Sequence, residues 1–244
     1  MKTDIETIAA RMRKDGSYTV VFTGAGMSTD SGLPDFRSKG GVWSNVDPME
    51  LATTSAIHNH YDRFHEFYSF RFEQMRAARP NRGHEILADW EAKGLLKCII
   101  TQNIDGLHAA AGSRQIYELH GSVGKVRCAD CSTPSTQEAF IAKTPCERCG
   151  GKLRPGVVLF GEGLPEDVLE SSWDAAERAD VFIVLGSSLQ VSPANQLPAV
   201  ARRRSALLAI CNRDITPLDQ MADYRTNCGI VDFLEELDSA LKAT

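Results

Sequence analysis

Short apolar runs that alternate with helical patterns constrain the fold of this chain more than any other feature. The runs are rich in aliphatic and β-branched residues, as strands covered on both faces require, and cover residues 18–22, 96–101, 157–160, 181–185 and 206–211. Helical periodicity lies near residues 3–14, 60–77, 82–93, 165–179 and 193–203. Strands that alternate with helices in this way predict βαβ units, a parallel sheet and an α/β fold class.

One stretch interrupts this alternation. Residues 124–154 carry cysteines, prolines and polar residues around a short helical segment, which predicts an inserted module. With 244 residues, 43% of them hydrophobic, the chain is long enough for one sizeable core and one small insert.

Charge and hydropathy indicate the compartment of the protein and the classes of partner that are not expected. Residues 1–6 include acids where a signal peptide needs an apolar run, and no run approaches the roughly 18 residues of a membrane span. The net charge is −5, and residues 202–204 are the only dense basic run. We expect a soluble cytoplasmic protein, a monomer, with neither nucleic acid nor membrane as partner.

A glycine-rich segment, residues 23–32, follows the first apolar run. Glycines there allow the backbone to approach a pyrophosphate, and exposed N–H groups can bind its oxygens. However, Thr29 stands where a dehydrogenase fingerprint has its third glycine. A simple tight turn is the alternative. The run Pro34-Asp35-Phe36-Arg37 adds a carboxylate, an aromatic face and a guanidinium that favour a ligand loop.

Polar side chains also follow the other runs, at the edge where open α/β sheets bind ligands. Gln102, Asn103 and Asp105 can address ribose hydroxyls and an amide, although an Asx turn that caps the next helix is an alternative. Residues 186–188 and 212–214 end two further strands; each could be a helix cap, but their shared edge favours a dinucleotide.

His120 follows a short strand-like run, residues 115–118, and a histidine at such a position can serve as a general base. A lone histidine is more often packed or exposed than catalytic. That interpretation applies to the remaining histidines, which are His58, His60, His65, His84 and His108.

Two Cys-x-x-Cys pairs lie in the predicted insert with 14 residues between them, and their members are Cys128, Cys131, Cys146 and Cys149. Four thiolates in two knuckles favour one tetrahedral zinc ion with a structural role. A redox pair is the alternative. The odd total of seven cysteines also suits a reducing compartment better than a disulfide framework.

Taken together, these motifs resemble those of the sirtuins in order and rough spacing over about residues 5–235. The resemblance implies a Rossmann-like NAD-binding domain, made of residues 1–37, 81–123 and 155–244. It also implies a small domain made of a helical insert, residues 38–80, and a zinc ribbon, residues 124–154. The implied activity is NAD-dependent protein lysine deacylation, foremost deacetylation, with nicotinamide, O-acyl-ADP-ribose and free lysine as products.

The resemblance also implies roles for individual residues. His120 would take a proton from a ribose hydroxyl, Asn103 would assist catalysis, and Phe36 would shield the reactive ribose face. The implied NAD-binding set is Ala25, Gly26, Thr29, Phe36, Arg37, Gln102, Asn103, Ile104, Asp105, His120, Gly186, Ser187, Ser188, Asn212, Arg213 and Ile230. The acyl-lysine would enter beside Val158, Phe160 and Gly161, its peptide pairing as a strand between residues 160–162 and 189–191.

The acyl group is the open question. Tyr68 and Arg71 share one helix face, a spacing similar to the pair by which some sirtuins hold succinyl or malonyl carboxylates. Against this preference, Thr29 and Asp35 follow the pattern of simple bacterial deacetylases. A third interpretation packs Tyr68 and pairs Arg71 with Glu66 or Glu73 on a solvated face.

Three other functions remain open. In mono-ADP-ribosyl transfer, a protein side chain would capture the ribosyl group instead of the acyl oxygen. A non-catalytic zinc module would bind protein or nucleic acid, which the acidic balance and the polar strand ends disfavour. An NAD-linked oxidoreductase would be expected to keep the third fingerprint glycine, and Thr29 replaces it.

Overall fold

The computed structural model describes residues 2–36, 38, 40–42 and 47–243. The helices are α1 (Lys2–Met12), α2 (Pro48–Leu51), α3 (Thr54–Asn59), α4 (Tyr61–Ala77), α5 (Arg82–Ala92), α6 (Leu107–Ala110), α7 (Gln137–Ile141), α8 (Glu166–Arg178), α9 (Leu197–Arg203) and α10 (Ile230–Lys242). The strands are β1 (Thr19–Thr23), β2 (Cys98–Thr101), β3 (Ile116–Glu118), β4 (Gly121–Cys128), β5 (Pro134–Ser135), β6 (Leu153–Val157), β7 (Val181–Leu185), β8 (Leu207–Cys211) and β9 (Tyr224–Thr226).

The main sheet is parallel, as predicted, and has the strand order β3-β2-β1-β7-β8-β9. From β1 the chain first builds outward through β2 and β3, and later returns to the other side of β1 with β7. The strand order therefore reverses between β1 and β7. Ligands of open α/β sheets bind in the crevice at such a reversal, outside the carboxyl ends of the strands.

Helices cover both faces of this sheet. One face packs Val21 and Ile99 against α1, α5 and α10, with Trp90 fully buried among them. The other face packs Phe22 and Phe182 against α8 and α9. Burial on both sides explains why these strands read as continuous apolar runs instead of alternating ones.

A second, antiparallel sheet has the order β5-β4-β6 and belongs to the cysteine-containing part of the chain. Its side chains share an apolar cluster with α3 and α4, in which Phe64 and Phe72 meet Phe140 and Leu153. The His65 ring also hydrogen-bonds the Phe140 carbonyl, with 2.8 Å between Nε2 and the oxygen. The helices before Pro80 thus pack directly on the cysteine-containing sheet.

The prediction of a parallel strand over residues 157–160 was wrong. Val157 instead ends β6, which is an edge strand paired antiparallel with β4. Pro155 has no N–H to donate, which suits an edge strand and not the middle of a sheet. Beyond Val157 the chain leaves the sheet, and Phe160 makes an isolated bridge to Thr53.

Two further features complete the description. Strand β9, at the far edge of the main sheet, was not predicted, because the run Tyr224-Arg225-Thr226 is short and carries a charge. Among the residues described, no helix combines the length and the apolar character needed to cross a bilayer.

Candidate active site

A cavity of about 690 Å³ lies at the carboxyl ends of the parallel strands, between the main sheet and the smaller one. It brings together nearly all the predicted ligand-binding residues that the structure describes: Ala25, Gly26, Thr29, Phe36, Gln102, Asn103, Ile104, His120, Gly186, Ser187, Ser188, Asn212, Arg213, Ile230, Tyr68, Arg71, Val158, Phe160 and Gly161. Asp105 lies next to the cavity but not on its wall. Arg37 is outside the described residues.

Glycines set the distance between the two loops at the crevice. The glycine loop, residues 24–32, follows β1 and touches Gly186, which follows β7. A Cβ atom on Gly24 would lie 2.7 Å from the Gly186 oxygen, and one on Gly26 would lie 2.7 Å from the Gly186 Cα. Gly186 itself has φ +63°, a left-handed conformation. These glycines are required by loop packing, which is why their spacing need not match the dehydrogenase fingerprint.

A side-chain network connects the glycine loop to the segment after β2. Asn103 is buried, and its Nδ2 donates to the Gly24 carbonyl at 3.0 Å and to Ser28 Oγ at 3.2 Å. Ser28 Oγ in turn donates to Asp105 Oδ2 at 2.8 Å. Because its amide nitrogen is engaged by the protein, Asn103 offers its Oδ1 to a ligand.

Gly106 is the N-cap residue of α6, and Asp105 forms an Asx turn just before it. Its Oδ1 accepts a hydrogen bond from the Leu107 N–H at 2.9 Å, at the start of α6, while Oδ2 accepts from Ser28. The Asx-turn interpretation therefore describes its contacts in this structure. Its expected contact with nicotinamide remains a prediction.

His120 sits between the glycine loop and the opposite wall of the cavity. Its Nδ1 lies 3.0 Å from the Gln102 carbonyl oxygen, and its own carbonyl accepts from the Val158 N–H at 2.9 Å. Burial lowers the pKa of His120, and the hydrogen bond to Gln102 raises it part of the way back. A neutral imidazole at neutral pH is the form that can accept a proton.

The wall opposite the glycine loop consists of residues 157–162, and we name it the substrate wall. Arg154 is 4% exposed and forms a two-pronged ion pair with Glu162, with Nη2 3.0 Å from Oε2. Glu162 Oε2 also accepts from the Leu159 N–H at 2.9 Å. Phe160 donates its N–H to the Ala52 carbonyl at 2.8 Å. These contacts hold the wall between His120 and the helices near Ala52.

The four paired cysteines form one cluster. Sγ atoms of the two knuckles approach each other closely, with 3.5 Å between Cys128 and Cys149 and 3.6 Å between Cys131 and Cys146. All four sulfurs lie within 4.8 Å of one another. Tetrahedral zinc with Zn–S bonds of about 2.3 Å separates its sulfurs by about 3.8 Å. The cluster therefore fits one Zn²⁺ ion with no open position.

Comparison with known proteins agrees with this geometry. The sequence model of the Sir2 family matches residues 24–193. This chain belongs to the Sir2 family, the sirtuins. The resemblance found in its motifs is thus confirmed.

Relatives of this sirtuin share most of its length. The NAD-dependent protein deacetylase 1 of Geobacillus kaustophilus is 52% identical over 207 residues, which are 84% of this chain and 86% of that one. The NAD-dependent protein deacylase of Aeropyrum pernix is 43% identical over 235 residues, 96% of each chain.

Solved structures are also similar to this sirtuin over nearly its whole length. A Sir2 homolog–NAD complex has a TM-score of 0.90 at 40% identity, covering 99% of this chain and 94% of that one. A Sir2–p53 peptide–NAD⁺ complex has a TM-score of 0.89 at 36% identity, covering 98% and 99%.

The structure decides one of the three interpretations of Tyr68 and Arg71 in this sirtuin. Both side chains line the cavity and are buried, with exposures of 4% and 5%. Arg71 donates to Gln74 Oε1 at 3.1 Å and lies 5.9 Å from the Phe36 ring centroid. Within the described residues it makes no ion pair, so pairing with Glu66 or Glu73 on a solvated face was wrong.

Some residues around the sirtuin cavity were not anticipated. Ser28 was passed over although it belongs to the glycine loop, and its position two residues after Gly26 was a usable signal. The Arg154–Glu162 pair had no such signal, because only the turn of the substrate wall brings the two side chains together. Cys228 also lines the cavity, which its sequence context did not indicate.

Proposed function

We propose that this sirtuin is an NAD-dependent protein lysine deacylase whose first activity is deacetylation. One observation carries the proposal: His120, neutral and held by the Gln102 carbonyl, stands between the glycine loop and the substrate wall in one cavity. The relatives described above support the same activity, since they are named NAD-dependent protein deacetylase or deacylase, and the similar solved structures hold NAD or a p53 peptide.

The chain's own residues account for binding and proton transfer. The backbone of the glycine loop and Ser187 would hold the pyrophosphate, while Asn212 and Arg213 would border the adenosine half. Bound NAD supplies the ribosyl carbon that the acyl oxygen attacks and the nicotinamide that leaves. His120 would accept a proton from a ribose hydroxyl at Nε2, since Nδ1 is committed to Gln102.

Asn103 would orient this reaction without exchanging protons. Its Nδ2 is fixed by Gly24 and Ser28, so its Oδ1 faces a constant direction as an acceptor for a ribose hydroxyl. The acyl-lysine would lie along the substrate wall, with its peptide backbone between residues 160–162 and 189–191. With the ribose held by Asn103 and the acyl-lysine on the substrate wall, the acyl oxygen and the ribose would lie on the same side of His120.

A preference for acidic acyl groups is the second candidate, and Arg71 favours it. A buried guanidinium that lines the cavity and has no carboxylate partner among the described residues can bind a succinyl or malonyl carboxylate bidentately. Desolvation lowers the pKa of Arg71, and the negative charge of a carboxylate ligand would counteract this effect.

We further propose that residues 38–80 and 124–154 act together as one small domain around a structural zinc ion. The apolar cluster shared by α4, α7 and β6 supports this division. The rest of the chain, residues 1–37, 81–123 and 155–244, would then form the Rossmann-like NAD-binding domain.

The test uses matched acetyl-lysine and succinyl-lysine peptides incubated with the purified zinc-loaded enzyme, with and without NAD. Mass spectrometry follows both the peptide and O-acyl-ADP-ribose. NAD-dependent acyl loss with formation of O-acyl-ADP-ribose is the expected result, and the relative rates give the acyl preference. ADP-ribose attached to protein without O-acyl-ADP-ribose would select mono-ADP-ribosyl transfer instead, and NADH would select an oxidoreductase.

A further inference from the structure

Two cysteines outside the zinc cluster meet at the end of the cavity that borders Ile230. Cys228 lines the cavity beside Gly229. Cys211 is the last residue of β8 and is fully buried behind it. In the sheet, Cys211 pairs with Thr226 of β9, and the chain then turns so that Cys228 comes back toward Cys211.

The Cys211 thiol contacts the main chain of Cys228. Cys211 Sγ donates to the Cys228 carbonyl oxygen at 3.7 Å. Cys228 Sγ accepts a hydrogen bond from Thr226 Oγ1 at 3.2 Å. A small molecule in the cavity can therefore reach Cys228, whereas Cys211 is fully buried and does not line the cavity.

We propose that a peroxide entering the NAD-free cavity oxidises Cys228 and Cys211 to a disulfide, and that this bond weakens NAD binding. The second part rests on the proposed function, because it assumes that NAD occupies this cavity. Bound NAD would cover Cys228 and protect the pair.

The chemistry needs one peroxide molecule for each pair. The Cys228 thiolate attacks one oxygen of hydrogen peroxide, the O–O bond breaks, and a sulfenic acid and hydroxide form. The sulfur of Cys211 then attacks the sulfur of Cys228 and the S–O bond breaks. The departing hydroxide takes the Cys211 proton, so two thiols and one peroxide give one disulfide and two water molecules.

The position of the pair explains the effect on NAD. A disulfide requires about 2.05 Å between the sulfur atoms, so Cys228 must move toward Cys211 and away from the Thr226 hydroxyl. Gly229 and Ile230 follow Cys228 directly and line the cavity. Their backbone would shift with it and change the wall on the adenosine side.

The experiment treats the zinc-loaded full chain with hydrogen peroxide, with and without saturating NAD, then blocks free thiols and digests with trypsin without reductant. The expected product joins the peptide 205–213 to the peptide 226–242, with the loss of two hydrogen atoms, and NAD suppresses it. NAD affinity, measured by calorimetry, falls about tenfold or more and returns after reduction. Absence of the joined peptide, or an unchanged NAD affinity when it forms, would overturn the proposal.

Three variants act as controls, each compared with its own reduced sample. Cys98 is buried in β2 away from the cavity, so Cys98→Ala should form the same joined peptide. Cys211→Ala should instead leave a sulfenic acid at Cys228 that dimedone labels, and Cys228→Ala should lose the oxidation at this site altogether. Zinc content is measured in parallel; an equal loss of NAD affinity in Cys228→Ala would place the oxidant's effect elsewhere and overturn the proposal.

The two proposals fail differently. The joined peptide is read without NAD, so its absence counts against the disulfide alone. If the reduced protein did not bind NAD, the proposed function would fail whether or not the joined peptide formed.

Discussion

The Nδ1 atom of His120 lies 3.0 Å from the main-chain carbonyl oxygen of Gln102. A carbonyl oxygen only accepts hydrogen bonds, so Nδ1 carries the proton, and Nε2 of the neutral ring keeps its lone pair. Gln102 directly follows β2, whose position in the sheet is fixed by pairing with β1. The sheet therefore determines which nitrogen of His120 is free to act as a base.

The first prediction concerns this base. His120→Ala should lower kcat by about 10² to 10⁴-fold, the usual contribution of a general base. NAD affinity and zinc content should stay near their original values. A variant with full activity would contradict the assigned role.

The pH profile gives an independent check on His120. Burial lowers its pKa below the ordinary value, and the proposed general base is the neutral form. Activity should therefore be constant at neutral pH and fall as the pH drops through a pKa below about 6.5. A profile that declines already above that pH would argue against His120 as the titrating group.

The second prediction concerns Arg71 and the acyl group. Arg71→Met should lower kcat/KM for a succinyl-lysine peptide by about 10 to 100-fold, because hydrogen bonds to charged groups contribute about 1.5 to 3 kcal/mol. The same change should have little effect on an acetyl-lysine peptide of identical sequence. An equal fall for both peptides would mean that Arg71 shapes the cavity without binding a carboxylate.

The third prediction concerns the ion pair between Arg154 and Glu162, the last residue of the substrate wall. Glu162→Gln leaves the buried guanidinium of Arg154 without its counter-charge and should destabilise the fold by about 2 kcal/mol, less than a fully buried pair because Glu162 is 23% exposed. The KM for the acyl peptide should rise more than the KM for NAD. Glu85→Gln, on the exposed ion pair with Arg82, is the matched control and should change neither quantity.

The fourth prediction concerns zinc. Cys128→Ser should lower both zinc content and the temperature of unfolding, because structural zinc contributes folding free energy. Zinc is measured by atomic absorption and unfolding by circular dichroism. Cys98→Ser, outside the cluster, should keep its zinc; a Cys128→Ser variant that is stable and zinc-replete would refute the assignment.

The fifth prediction concerns the buried rings of His84 and His108, whose centroids are 4.8 Å apart. Burial lowers the pKa of His84 to about 4 and that of His108 to about 3, where the charge of His84 also contributes. Between pH 6.5 and about 4, the unfolded chain thus binds protons that the folded chain does not. The free energy of unfolding should therefore decrease as the pH is lowered through this range. Each histidine should contribute up to about 1.4 kcal/mol for each pH unit.

Urea titrations at several pH values measure this slope. His108→Gln should reduce the slope below pH 6.5, whereas the exposed control His58→Gln should not. If the slope in His108→Gln equalled that of the original protein, other groups would be responsible for the acid sensitivity.

Much of the fold could be predicted from the sequence because the parallel strands are covered on both faces. Runs such as residues 181–185 leave no alternative to a buried strand, and the polar residues that follow them meet at one edge for topological reasons. The same reasoning failed for residues 157–160, since an apolar run of four residues does not reveal which sheet it joins. Val157, the first residue of this run, instead pairs with β4, and the register of that pairing shifts between Ser122 and Val126.

Site residues could be predicted from the sequence where their residue type and spacing serve few other purposes. Four cysteines in two pairs have few alternatives to a metal, and they do cluster. The role of Asp105 was harder to predict, because a carboxylate after a strand can form a turn before a helix or bind a ligand. In the structure it accepts a hydrogen bond from Ser28, which is distant in sequence. The burial of Arg71 could not be read from its helix face, because that face packs against a separate part of the chain.

The contact of Gly24 and Gly26 with Gly186 has a further consequence for how this cavity can vary. Where two main chains touch, no side chain can be substituted between them. The floor of the cavity is therefore the same for every substrate. The side chains that can vary lie on the walls of the cavity, among them Tyr68 and Arg71 on α4 and Phe160 on the loop after β6. Under the proposed function, therefore, the loops that would hold the cofactor and the walls that would contact the acyl group belong to different parts of the chain and can change independently.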